Sequence, residues 1–494
     1  MQVVFFICLV LYTFILLGVM WATSRKATND TYFIGNRKSP WFVVAYGMIG
    51  ASLSGVTFMS VPGDVANTQF TYFSVVLGYV LGYIVIAYLL LPLYYRLNLT
   101  SIYQFLGMRF GNKTQKTGAM LFIISRLTGS ALRMYLMIFV LQFFIFDAWG
   151  IPIWATAVFM IFIIFLYTFK GGVKTVVWTD TLQTTFMLLA LLITIVIIFK
   201  NMSFSFGETI TILNDKGYSK IFNYDWRASN HYLKQILGGM FITIAMTGLD
   251  QDMMQKNLSC KTLKDSQRNM LSFTGILIIV NALFLLLGGL LLIYAQQTGI
   301  ELAGLKSDQI YPAIVLGYMG KAMSLLFVIG LIAAGYSSAD GTFTALTTSF
   351  CLDILNIDKF AKTDRQKVFI RRCVHVGMSV LFLLVIIVAS NYHDDALIRI
   401  IFKVAGYTYG PILGLFAFGM FTKRKMISEW VVPAVSLAIP TTVFFIAKNS
   451  KTLLWGYEFG FELLLLNGLL TFLGLFLGSK KQSISQVPTS VSNP

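Results

Sequence analysis

Apolar runs of membrane-spanning length recur along almost the whole chain, and that pattern leaves little freedom in the fold. A run of about twenty apolar residues reads as a transmembrane helix. About thirteen such runs lie near 2–22, 41–62, 71–95, 117–146, 151–169, 175–199, 233–250, 271–296, 322–350, 373–390, 397–420, 429–447 and 459–478. Only 12% of the 494 residues are charged and 57% are hydrophobic; a soluble domain carries about 25% charged residues. The chain reads as an all-α polytopic membrane protein, one integral domain over 1–480. The Ser/Gln/Pro-rich segment 481–494 reads as a disordered tail.

The formal charge of +17 does not point to nucleic acid, because the basic residues gather in alternate short loops between apolar runs. Arg25, Lys26, Arg37 and Lys38 form one group, and Arg96, Arg109, Lys113 and Lys116 the next. Lys170 and Lys174 continue the series, then Lys256, Lys261, Lys264 and Arg268, then Lys359 to Arg372, then Lys423 to Lys425. By the positive-inside rule these loops are cytoplasmic. The expected topology has the N-terminus outside and the C-terminus inside a cell (inner) membrane, which needs an odd number of spans. The first basic residues follow the first apolar run instead of preceding it, so that run reads as a retained helix. Cys8, Cys260, Cys351 and Cys373 form no CxxC pair, and His231, His375 and His393 show no metal-ligand spacing. No transition metal, nucleic acid or obligate protein partner is expected; the lipid bilayer is.

Two spans are interrupted by small or polar residues. Gly50-Ala-Ser-Leu-Ser-Gly55 interrupts the second, and Thr247-Gly-Leu-Asp-Gln-Asp252 ends the seventh. Weakened helices in corresponding positions of two halves are the sequence pointer to an inverted-repeat transporter with its site at the midplane. Five spans separate the two interruptions, so equivalent spans run in opposite directions. The repeats are expected near 41–199 and 233–420.

The ninth run contains Leu331-Ile-Ala-Ala-Gly-Tyr-Ser-Ser-Ala-Asp-Gly341. Ala334, Ser337, Ser338 and Gly341 share one helical face. Small residues there let a neighbouring backbone approach closely. Two hydroxyls with a released carbonyl also make an oxygen cage suited to a hard monovalent cation. Packing alone explains such a stripe equally well. In the sixth run, Gly171-Gly-Val-Lys-Thr-Val-Val-Trp-Thr-Asp-Thr-Leu-Gln183 places Asp180 about two turns inside the apolar helix. A charge at that depth costs about 2.5–3.5 kcal/mol on insertion scales, so it faces a cavity, a partner or an ion.

These stretches, with Leu53-Ser-Gly-Val-Thr-Phe-Met-Ser-Val-Pro-Gly63, Gly248-Leu-Asp-Gln-Asp-Met-Met-Gln-Lys256 and Gly406-Tyr-Thr-Tyr-Gly-Pro-Ile-Leu-Gly414, closely resemble the sodium:solute symporter family over roughly 30–420. The resemblance implies a ten-helix (5+5) inverted-repeat core of the amino-acid-transporter type, with one helix before it and two after. It also implies a sodium site: the Ala334 carbonyl and the Ser337 and Ser338 hydroxyls, completed by the Gly50 and Leu53 carbonyls of the broken helix. Na+ is then the coupling ion, and Asp180 lies on the ion path.

Asp340 departs from the family pattern. It and Gly341 stand where members with a second sodium site carry serines. With Asp180 it forms a candidate second cation site. Two nearby buried acids cannot both stay ionised unless a cation bridges them. The alternatives are a protonated acid or pairing of Asp340 with a membrane arginine. Arg126 and Arg133 lie seven apart on one face of the fourth run. Arg126 stands where the family's carboxylate carriers hold a substrate-contacting arginine; the competing reading is an ion pair with Asp180 or Asp340. Ser52, Ser54 and Thr57 of the broken helix are the remaining candidates for substrate contact, although such hydroxyls also bond their own backbone.

The expected function is therefore sodium-coupled secondary symport of a small solute by alternating access, with the arginines favouring an organic anion. A proton-coupled carrier of the same fold is the alternative. An intramembrane enzyme would need a catalytic centre for which no spacing is present, and a channel would need rings of carbonyls or charges along a pore.

Overall fold

The computed structural model describes residues 2–25, 27–202, 204–391, 397–457 and 459–481. The expected disordered tail therefore falls, beyond Lys481, outside the described residues, as does His393. Among the described residues ten helices are long and apolar enough to cross a membrane. Two bent helix pairs and one shorter apolar helix, Leu463–Leu477, accompany them. In chain order the spans are α1 (Gln2–Ser24), α2a (Trp41–Ser52) with α2b (Gly55–Thr68), α3 (Tyr72–Arg96), α4 (Asn112–Leu141), α5 (Ile153–Gly171) and α6 (Val173–Met202). They continue with α7a (Tyr232–Gly248) and α7b (Gln251–Leu258), α8 (Leu263–Thr298), α9 (Lys321–Ile354), α10 (Asp364–Ala389), α11 (Leu397–Phe421) and α12 (Val431–Lys448), followed by the shorter apolar helix α13 (Leu463–Leu477). Five spans begin with the broken α2 and five with the broken α7. This is the inverted-repeat core, with α1 before it and α12 and α13 after.

Burial orders the layers. In α9 78% of the apolar window is covered by protein, against 22% in α1 and 17% in α12, so α9 sits at the centre and α1 and α12 at the periphery. Around α9 pack α4, α6, α7b and α10, and α6 also lies along α2a. The α5–α6 connection is made by Gly172, at φ +54, where a Cβ would run into the backbone of Tyr32. Only glycine fits that left-handed turn, and it sets α6, with Asp180, on its path into the core.

The two breaks have a local cause. Ser52, Ser54 and Gly55 are poor helix formers, and serine side chains compete for the backbone. α2a and α2b meet at 58° across Leu53 and Ser54, and α7a and α7b at 65° across Leu249 and Asp250. Non-helical backbone at membrane depth persists only where it is buried in protein or lines a cavity. Asp250 starts α7b by accepting a hydrogen bond from the Met253 N–H at 3.1 Å. Between α6 and α7a lies the short helix Phe206–Asp215, and between α8 and α9 the helix Ser307–Tyr318 covers α2b.

Candidate functional site

The breaks differ in how their released carbonyls are satisfied. At α7 the Gly248 carbonyl accepts from the Tyr94 hydroxyl and the Leu249 carbonyl from the Tyr103 hydroxyl, each at 2.8 Å. Gln251 bridges to the backbone of Thr100 and Ile102 at 3.0 and 2.9 Å. At α2 the helical ladder closes with Leu53 N–H on the Ile49 carbonyl, 2.8 Å, and resumes with Phe58 N–H on the Ser54 carbonyl, 3.0 Å. Among the described residues no group donates to the carbonyls of Gly50 and Leu53, which flank the interruption. Buried backbone acceptors are nearly always paired, so this break is the one that asks for a ligand.

That break lies against α9. A Cβ on Gly50 would sit 2.5 Å from Thr184 Oγ1 and 3.1 Å from Ser337 Oγ; one on Gly55 would reach Leu331 and Gly335 at 3.7–3.9 Å. The Gly50 N–H donates to Thr184 Oγ1 at 3.0 Å. Ser337 donates to Asp180 Oδ1 at 2.9 Å. Ser338 donates to the Gly335 carbonyl in its own helix at 3.1 Å. Ala334, Ser337, Ser338 and Asp180 are all buried, as are Gly50 and Leu53. The structure therefore brings α2, α6 and α9 together around Gly50, Asp180 and Ser337, the same three segments that the sequence singled out.

The charged network around this point was not expected. Asp180 Oδ2 lies 2.8 Å from Lys256 Nζ, which is 3.3 Å from Asp252 Oδ1. Asp252 also pairs with Arg126, whose other nitrogen is 3.6 Å from Asp250 Oδ2. Arg126 Nε donates to Thr342 at 3.1 Å, and the Tyr409 hydroxyl donates to Asp250 at 2.5 Å. Three corrections follow. Lys256, read from sequence as a cytoplasmic loop charge, is 1% exposed inside the core. Arg126 pairs with neither Asp180 nor Asp340: its partners are Asp250 and Asp252 of α7. Among the described residues Asp340 meets no arginine; it accepts from Tyr167, Thr179, Gln183 and the Gly341 N–H at 3.1, 3.2, 3.4 and 2.6 Å. The signal that could have exposed Lys256 is its spacing: Asp252 and Lys256 are four apart and share a face of α7b.

Between the two broken helices lies a cavity of about 90 Å³. Ser52, Ser54 and Thr57 line it, as expected, and so do Tyr72, Tyr79, Tyr83, Arg133, Thr247 and Asn281. Arg126 reaches its wall. Among the described residues no carboxylate lies within ion-pair distance of Arg133. Asn281 has its Nδ2 on the Leu277 carbonyl at 2.8 Å and no donor to its buried Oδ1. The lining thus offers one uncommitted guanidinium, an unpaired amide oxygen and a set of hydroxyls, a combination that receives an anion carrying a hydrogen-bond donor.

Comparison with known proteins agrees with the geometry. The sodium/sialic acid symporter SiaT of Proteus mirabilis is 26% identical over 439 residues, covering 85% of this chain and 84% of that protein. The sodium-coupled monocarboxylate transporter 2 of Danio rerio is 26% identical over 437 residues, covering 85% and 68%. A solved Na+-coupled sialic acid symporter, in a substrate-bound outward-open state, shares the fold with a TM-score of 0.83 at 21% identity, over 97% of this chain and 99% of that one. The model of the sodium:solute symporter family matches residues 32–428, and with its multiple spans and paired broken helices the chain belongs to that family.

Proposed function

We propose that this protein couples the inward movement of sodium to import of a small organic anion by alternating access. The observation that carries this reading is the asymmetry of the two breaks: tyrosine hydroxyls cap the Gly248 and Leu249 carbonyls at α7, whereas the Gly50 and Leu53 carbonyls at α2 receive no donor among the described residues and lie beside the hydroxyls of α9. Sodium is then held by the Gly50 and Leu53 carbonyls, the Ala334 carbonyl and the Ser337 and Ser338 hydroxyls. Asp180 supplies negative charge through Ser337. These ligands come from elements that separate when the core rocks, so the ion binds one state more tightly and shifts the equilibrium by that difference.

The anion is received by Arg133, with Ser52, Ser54, Thr57 and Asn281 as hydrogen-bonding neighbours. The names of the relatives support the class, since sialic acid and monocarboxylates are both carboxylates. The repeats run over about 41–199 and 233–420 within one transporter domain of 1–480. The N-terminus lies outside and the basic loops lie on the cytoplasmic face of a cell membrane.

The test is uptake into proteoliposomes of a panel of labelled monocarboxylates and a sialic acid, with an inward sodium gradient or a choline control. Concentrative uptake of one of them, in sodium only and lost in Arg133→Gln, supports the reading. Uptake driven equally well by a proton gradient without sodium refutes the coupling, and undiminished uptake in Arg133→Gln refutes the anchor.

A further inference from the structure

The cleft between α6, α7b and α9 already holds a cation, and it belongs to the chain. The Lys256 ammonium is 2.8 Å from Asp180 Oδ2 and 3.3 Å from Asp252 Oδ1, with both carboxylates and the lysine at most 1% exposed. Its place is made by Gly341: a Cβ there would lie 2.7 Å from Nζ and collide with Asp252 Oδ1. Asp340, the neighbouring acid, is turned to other donors. Three side chains reach its Oδ2, and its Oδ1 is taken by the Gly341 N–H. An incoming ion would have to displace the ammonium from Asp180 or strip Asp340 of its hydrogen bonds.

We propose that the Lys256 ammonium is a tethered cation that stands in for a second transported ion, so that this chain binds and moves one sodium ion per cycle. The inference rests on the sodium-symporter reading above. An ammonium and a sodium ion carry the same charge and answer the same carboxylates, but the lysine is not released on either side. Two monovalent cations about 4 Å apart repel enough to weaken binding of the second by on the order of a thousandfold at an effective dielectric constant of about 20. Sodium and Lys256 therefore do not share the Asp180–Asp340 cleft. The site at the α2 break, reached from Asp180 only through Ser337, remains for the transported ion. In this account Lys256 also tethers α7b to α6, so its charge stays with the protein through each cycle.

The experiment counts bound sodium. Purified full-length protein is equilibrated with radioactive sodium at constant ionic strength, balanced with choline, and the saturating number of ions per protein is measured. The wild type is expected to hold one, lost in Ser338→Ala. Lys256→Arg, which keeps the charge, is expected to hold one. Lys256→Gln, which empties the cleft, is expected to hold two. Two ions on the wild type overturn the proposal whether or not any variant folds. So does one ion on a folded Lys256→Gln protein. No sodium on the wild type would instead remove the symporter reading and this proposal with it.

Discussion

Arg126 is the residue whose removal the structure prices most directly. Its guanidinium is 4% exposed and faces Asp252 and Asp250, neither of them exposed at all. Removing one partner of a buried ion pair costs about 3–5 kcal/mol, because a charge is left uncompensated in a low-dielectric site. Here the loss falls at the lower end. Asp252 keeps Lys256 at 3.3 Å and Asp250 keeps the Tyr409 hydroxyl at 2.5 Å. Arg126→Met is therefore expected to destabilise the fold by about 3 kcal/mol, a factor of about 150 in the folded-to-unfolded ratio. The assay is equilibrium unfolding in SDS, followed by tryptophan fluorescence. Adding Asp252→Asn removes the orphaned charge and should recover at least half of the loss. If Arg126→Met costs less than about 1 kcal/mol, as an exposed pair would, or if the double variant is as unstable as the sum of the single ones, the network does not carry the weight assigned to it.

Two further outcomes follow from local geometry. Gly50→Ala pushes a methyl into Thr184 and Ser337; it should cost about 1–3 kcal/mol by overpacking and abolish the sodium response by wedging α2 from α9, and a variant with a normal sodium response would contradict the placement of the site. On the helix Ser307–Tyr318, burial holds the Asp308 carboxyl above its ordinary range, opposed by the hydrogen bond from Ser60 at 3.3 Å. The folded state then binds a proton more readily than the unfolded one, so stability falls as the pH rises from the usual carboxylate value through the raised one. Asp308→Asn keeps an acceptor for Ser60 and should raise thermal stability at neutral pH while flattening that dependence; a steeper dependence would reverse the sign of the argument.

The spans and the two broken helices were readable from the chain because each is a local pattern, an apolar run or a cluster of small residues; the pairing of Gly50 with Ser337 came only from the family resemblance, and Asp180, expected beside Asp340, instead accepts from Ser337. The charge network was not, because pairing of Arg126 with Asp250 and Asp252 is fixed by how α4 and α7b both pack on α9, which no local window contains. Lys256 was misread for a related reason. The apolar run of the seventh span ends near residue 250, and the polar half-helix that follows, Gln251–Leu258, has the composition of a loop. The four-residue spacing of Asp252 and Lys256 marks a helix face, but burial against α9 and α2a is what separates that face from a solvated one. Arg133 and Asn281 share the cavity wall only once α4, α7 and α8 are packed, so their joint role likewise emerges from the fold.

The central claim is that sodium bridges the α2 break and α9. Thermal stability of the purified protein, measured in sodium against choline at equal ionic strength, tests it without knowledge of the solute. The account predicts a saturable, sodium-specific stabilisation of the wild type that disappears in Ser337→Ala and in Ser338→Ala, and weakens in Asp180→Asn. A sodium effect that survives both serine variants, or a response to choline equal to that to sodium, would contradict it.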